Sequence, residues 1–245
     1  MGSVWVDVLR ADAKRVFRDR FLLLIVTYLP LMALAFRWAI PALSEKLQAR
    51  VDISLYYPPL CATMVLILPY IMGCVLGLQL LEEKDEGSLN AVVVTPFSFR
   101  RYFFFRVGIY AAVGAVMLVV SHQAMGIVRS ISLFQLVMVA AAFALNTSLS
   151  AFIISILAKN QVQGFAVLKG SGALFIGPVL SFFVPQHWDL LFGVIPFYWP
   201  IKAYYVAVAG GSNAMFWGAI ALAIITQLVA LSFLYRLFQQ RILQA

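Results

Sequence analysis

Six long apolar runs divide the chain, at about residues 21–41, 56–81, 102–127, 131–157, 162–184 and 213–235. Each has about 20 residues or more, enough to cross a ~30 Å hydrocarbon layer as an α-helix. Pro30 interrupts the first run. Arg37, near its far end, reaches the surface by snorkelling, which avoids much of the ~2.5–3.5 kcal/mol cost of a central arginine. The second run carries Gly73 and Gly77, a GxxxG spacing that lets a neighbouring helix approach closely. A tight turn at Arg129 and Ser130 joins the third run to the fourth.

Two stretches have other patterns. Over residues 4–20, Trp5, Val8, Leu9, Val16 and Phe17 recur at helical spacing, with Arg10, Lys14, Arg15 and Arg18 largely opposite. That predicts a helix lying in the membrane interface, its cations near anionic headgroups. Residues 186–211, QHWDLLFGVIPFYWPIKAYYVAVAGG, are apolar enough to enter a bilayer. Pro196, Pro200 and Lys202 make them a poor continuous span.

Charge settles the expected topology. With six spans, 13 of the 18 Lys and Arg residues fall on the side of the termini, from Arg10 through Lys84, Arg106 and Lys169 to Arg241. Arg37, Lys46, Arg50, Arg129 and Lys202 fall on the other. The positive-inside rule then puts both termini in the cytoplasm. A seventh span would carry Arg236 and Arg241 outside, so 186–211 reads as a broken, re-entrant element entering from the outer face. The expectation is an all-α integral membrane protein. Residues 1–20 form an interfacial helix and residues 21–245 a six-helix transmembrane domain.

Composition agrees. Of the 245 residues 63% are hydrophobic and 11% charged, against about 25% charged in soluble domains; mean hydropathy is +0.94. The net charge of +8 does not imply nucleic acid, because the cations flank apolar runs. A cleaved signal peptide is not expected, since the polar start is too long for an n-region. Cys61 and Cys74 have neither a metal nor a redox spacing and read as small apolar side chains. No metal site is expected.

The candidate chemistry is sparse. All ten acidic residues lie at run ends or in loops. Proton-coupled transporters rely on intramembrane carboxylates, so secondary transport is disfavoured, although backbone carbonyls can also bind ions. His122 and His187 read as ordinary interfacial residues near the outer face. There is no HExxH, no nucleophile elbow and no GxxxxGK[ST], so the chain is not read as an enzyme and has no P-loop of its own for ATP. Within the fourth run, Asn146, Thr147, Ser148 and Ser150 either make hydrogen bonds to helices or line a substrate path. Lys169, some ten residues beyond the preceding polar loop, either snorkels or meets an anionic group of a substrate.

Four of the ten acidic residues are concentrated in one stretch, LEEKDEGSLNAVVVTP, residues 81–96. Gly87 can close a helix by taking the left-handed conformation. Ser88 can cap a short helix, Leu89 to Val94, and Thr95-Pro96 can start the next. A short apolar helix beside acid has no lipid core to enter, and its valines need another protein surface or the interface. The stretch therefore reads as a docking element for a cytoplasmic partner.

EKDEGSLNAVVVTPFS, residues 83–98, resembles the signature of ABC-2 type transporter permeases, roughly E-(K/R)-E-x-G-T-L-E, an apolar run, then T-P-x-S. Glu83, Lys84, Gly87, Leu89, Thr95, Pro96 and Ser98 match; Asp85, Ser88 and Asn90 depart from it. AKNQVQG (158–164) and IPFYWPIKAYY (195–205) look most like small separate-subunit permeases of the fluoroquinolone-exporter kind. The resemblance implies two permease copies, identical or related, in the plasma (inner) membrane. It also implies two copies of a separate P-loop ATPase that bind ATP and Mg, with no cofactor on this chain. The coupling set is Glu82, Glu83, Lys84, Asp85, Glu86, Gly87, Ser88, Leu89, Thr95 and Pro96, and the short helix between spans 2 and 3 would be the coupling helix. Asn146, Thr147, Ser150 and Lys169 are the candidates for the substrate path. The implied function is export of an apolar or amphiphilic molecule, such as a drug or lipid-like compound. The alternatives are an ATP-independent channel or secondary transporter, and a membrane scaffold without flux.

Overall fold

A computed structural model describes residues 2–47, 52–87, 99–185 and 188–242. Every regular element among them is helical. In chain order they are α1 (Gly2–Arg18), α2 (Arg20–Leu47), α3 (Tyr57–Cys61), α4 (Leu68–Asp85), α5 (Phe99–Met125), α6 (Leu133–Leu157), α7 (Gln161–Ser171), α8 (Ala173–Leu180), α9 (Tyr198–Val208) and α10 (Asn213–Ile242). A π-helical turn at Ala62–Leu66 joins α3 to α4.

Six helical stretches are long and apolar enough to cross a membrane: Arg20–Leu47, Ile53–Asp85, Arg101–Met125, Leu133–Leu157, Gln161–Phe183 and Asn213–Phe238. They coincide with the six apolar runs to within four residues at each end, except that the first span extends six residues further, to Leu47. The stretch ending in α4 is the core: 83% of its most apolar window is buried, against 11% for α2. A helix that is apolar all round has no preferred solvent face and packs centrally. Here α5, α6 and α7 enclose α4.

Small residues let α6 come close. A Cβ added at Gly73 would lie 2.0 Å from Ser150 Oγ and 2.1 Å from the Thr147 carbonyl oxygen; one at Gly77 would lie 2.9 Å from Ile154 Cβ. The GxxxG face is thus filled by a helix of the same chain.

Three local readings need correction. Pro30 does not interrupt the first span: α2 runs unbroken through Pro30 and Pro41. Each proline removes one backbone hydrogen bond, a loss that the many other bonds of a 28-residue helix accommodate. The turn between the third and fourth spans is not confined to Arg129 and Ser130. Gly126, at φ +62°, closes α5, and Ser132 opens α6 through a capping box with Gln135. His122, one turn from the end of α5, faces the helix bundle and not the surroundings: it is 2% exposed, and its Nε2 lies 3.3 Å from the Tyr204 hydroxyl of α9. His187 lies outside the described residues.

The 186–211 stretch is broken as its prolines predict. A 3₁₀ turn at Asp189–Val194 precedes the 11-residue α9. At 1.5 Å per residue α9 is ~16 Å long, about half of a hydrocarbon core. It buries Tyr198, Ile201, Ala203 and Tyr204, and Lys202 pairs with the buried Asp189.

Candidate functional site

Three helices meet in a buried ion cluster where α4 ends and α5 begins. Each supplies partners about one turn apart, so that they share a face: Asp12 and Arg15 on α1, Gln79 and Glu83 on α4, and Tyr102, Arg106 and Tyr110 on α5. Arg106 is at the centre and fully buried. Its Nε and Nη2 hold the two oxygens of Asp12 at 2.8 and 2.7 Å. Its Nη1 donates to both oxygens of Glu83 at 2.9 and 3.0 Å. Nη2 also donates to Gln79 Oε1 at 3.0 Å, an atom that accepts the Tyr110 hydroxyl at 2.6 Å as well. Arg15 donates to Glu83 at 2.7 Å, and the Tyr102 ring lies 5.2 Å from the Arg106 guanidinium carbon.

Two guanidinia face two carboxylates, so the cluster is neutral as a unit. The planar fork suits this task, since one arginine can bind two carboxylates at once. Burial pushes the Asp12 carboxyl above the usual aspartate range, while Arg106 and then Arg15 pull it down. Removing one partner of such a group typically costs about 3–5 kcal/mol, because it strands a buried charge. The cluster therefore locks α1 and the adjoining ends of α4 and α5 into one arrangement. Beside it, an apolar recess of about 270 Å³ opens between α1, α2, α4 and α5, lined by Leu9, Val16, Val26, Met72 and Ile109 among others.

The acidic stretch divides into an inward and an outward part. Glu83 turns inward and is 4% exposed, so it is not available for direct contact with a partner. Its neighbours Lys84, Asp85, Glu86 and Gly87 are exposed, and Glu82 is half-buried. Gly87 has φ +72°, the left-handed conformation that its position after the helix predicted. Asp85 accepts the Gln161 backbone N–H at 3.0 Å. Its charge thus sits at the N-terminus of α7, where the helix dipole favours an anion. Ser88, Leu89, Thr95 and Pro96 lie outside the described residues, as does the expected short helix between them.

The polar residues of α6 separate in the same way. Thr147 donates to the Pro69 carbonyl at 2.8 Å, and Ser150 to the Tyr70 carbonyl at 2.9 Å and to Asn146 O at 2.8 Å. They join α6 to α4. Asn146 is fully buried, and neither atom of its side-chain amide has a partner. Lys169 is exposed on the surface of α7. Among the described residues no group of His, Cys, Asp and Glu could hold a metal ion.

Sequence reasoning missed Arg106 and Asp12. Arg106 counts in the sequence only as one of the cations on the side of the termini, although it lies inside the third apolar run with tyrosines four residues to either side. Asp12 follows Val8 by four residues and precedes Val16 by four, in the middle of the apolar stripe of α1. A carboxylate on that stripe needs a buried cation, and that is the signal that could have paired them.

Six apolar spans, one of them central and mostly buried, with a polar lock at one end, define a multi-pass helical membrane protein. Residues 12–235 match the family described as "Fluoroquinolones export permease protein Rv2686c-like", and the chain belongs to that family. Two relatives from Mycobacterium tuberculosis, strains CDC 1551 / Oshkosh and ATCC 25618 / H37Rv, are each named a fluoroquinolones export permease protein. Each is 28% identical over 207 residues, covering 83% of this chain and 82% of the relative.

Proposed function

We propose that this chain is the transmembrane permease subunit of an ATP-binding-cassette exporter that moves an amphiphilic, fluoroquinolone-like drug or a lipid-like compound out of the cytoplasm. The observation that carries the proposal is the continuity between the exposed end of α4 and the buried ion cluster. Lys84, Asp85, Glu86 and Gly87 face outward, while Glu83, on the same helical turn, is gripped by Arg106 and Arg15. A push on residues 84–98 therefore reaches α5 and α1 through Glu83. Family membership and the ABC-2 resemblance of residues 83–98 support the same reading.

In this account a separate P-loop ATPase binds ATP and Mg and docks on Glu82, Lys84, Asp85, Glu86 and the segment containing Ser88, Leu89, Thr95 and Pro96. Glu83 acts as the inner end of the lever and does not touch the partner. A second permease copy completes the pathway through faces other than Gly73 and Gly77, which α6 occupies. The protein lies in the plasma (inner) membrane with both termini cytoplasmic. Residues 1–20 rest in the interface, and 186–211 re-enter from the outer face. Asn146 is the best-placed polar group for the substrate path, because its amide is unpartnered. Thr147 and Ser150 position the wall behind it, and Lys169 snorkels.

Transport into inverted proteoliposomes containing the chain and its partner ATPase tests this reading. Fluoroquinolone uptake should require ATP and the ATPase. It should be lost in an Asp85→Lys, Gly87→Val variant that still inserts. Normal transport by that variant would remove the docking role, and uptake by the chain alone would favour the ATP-independent alternative.

A further inference from the structure

At the end of α5 remote from the ion cluster, a second polar feature stands apart from any coupling role. Arg37 of α2 and Arg129 of the α5–α6 connection line one pocket of about 350 Å³, together with Trp38, Pro41, Tyr57 and Gly126. Arg37 Nη1 donates to the Ala124 carbonyl at 3.0 Å, and Arg129 Nε to the Gly126 carbonyl at 3.2 Å. Both guanidinia are thus held at the C-terminus of α5, where the helix dipole favours cations. A guanidinium has five N–H donors, so most of each fork is left over.

No carboxylate of the described residues lies within ion-pair distance of either arginine. Of the acids nearest in sequence, Glu45 lies about two turns further along α2 at an exposed position, and Asp52 turns its carboxylate to Ser54. Two cations in fixed positions share one concavity with a tryptophan that is 64% exposed and a tyrosine. The pocket thus combines guanidinium and aromatic side chains in its lining. Helix capping alone would explain one donor on each arginine, but not the presence of both arginines in the lining of one pocket.

We propose that this pocket binds the phosphate or carboxylate group of an amphiphile lying at that membrane surface. The Arg37 and Arg129 forks take its oxygens. Trp38 and Tyr57 lie against its apolar part, in the manner of aromatic side chains at an interface. The same chemistry is offered by a membrane phospholipid headgroup and by a free carboxylate amphiphile. The proposal does not depend on ATP coupling, and its test needs neither partner nor nucleotide.

The test uses the full chain in phosphatidylcholine nanodiscs. Brominated phosphatidylglycerol, brominated phosphatidylcholine or a brominated fatty acid is added, and quenching of Trp38 is read as the difference from a Trp38→Phe variant. The expected result is about fivefold preference for an anionic probe over brominated phosphatidylcholine. That preference should be lost in Arg37→Gln, Arg129→Gln and reduced but still present in Arg37→Lys, Arg129→Lys, which retains the charge without the fork and guards against misfolding. Preference for phosphatidylglycerol alone identifies a lipid headgroup site; preference for the fatty acid alone identifies a site for free carboxylates. Equal quenching by charged and neutral probes, or a Gln variant as selective as the wild type, would overturn the proposal and leave the arginines as caps of α5.

Discussion

Replacing Arg106 by Met would strand Asp12 and Glu83, which are 6% and 4% exposed, without their shared counter-ion. The expected loss is about 3–5 kcal/mol of stability, read as a large drop in the thermal midpoint of the detergent-purified chain. The triple variant Asp12→Leu, Glu83→Met, Arg106→Met removes the three buried charges together and leaves Arg15, which is partly exposed and lies 3.7 Å from Glu86; it should recover most of the loss, because a buried ion set replaced by apolar groups of similar volume is often neutral. Coupled transport should stay low in the triple variant even so, since the lever is gone. Asn146 gives the opposite case. Its amide has no partner to lose, so Asn146→Leu should match or exceed wild-type stability, while drug transport falls. Unchanged transport would take Asn146 out of the path. At this scale the sequence was least legible. Residue types showed where charges were unusual, but not that Asp12 and Arg106, 94 positions apart, form one pair. Side-chain rotation and helix packing decide that.

Helices were far more legible, because the length and apolarity of a run are enough to define a span. The apolar runs gave all six spans, and Gly87 marked the end of α4. Pro30 misled because a proline inside a long helix costs one bond without ending the helix. The glycines of α4 allow a graded test of helix packing. Gly73→Ala drives a methyl group into Ser150 Oγ and the Thr147 backbone, so α4 and α6 must separate, at an expected cost of about 3 kcal/mol or more. Gly77→Ala meets the Ile154 side chain at 2.9 Å and should cost about 1–3 kcal/mol. Gly108→Ala, on α5, meets nothing within 4 Å and should be neutral or stabilise by up to about 1 kcal/mol through helix propensity. Thermal midpoints falling in the order Gly108→Ala, Gly77→Ala, Gly73→Ala would support α4–α6 packing within one chain. Equal effects at Gly73 and Gly108 would contradict it.

For the whole molecule, the chain joins two polar ends through an apolar middle. At one end an ion lock ties α1 to α4 and α5 beside an exposed acidic turn; at the other, two arginines cap α5. The signature at 83–98 drew attention to this end as the proposed docking end, although it did not show that Glu83 faces inward while Lys84, Asp85 and Glu86 face outward. The central claim is that this end couples to a separate motor. The most direct test is to purify the tagged chain from its native membranes in gentle detergent and identify bound proteins by mass. The account predicts a cytoplasmic P-loop ATPase at near-equal stoichiometry, lost from the Asp85→Lys, Gly87→Val variant while the chain stays folded. A stable, intact chain that carries no ATPase would contradict ATP coupling and move the search to flux through the chain alone.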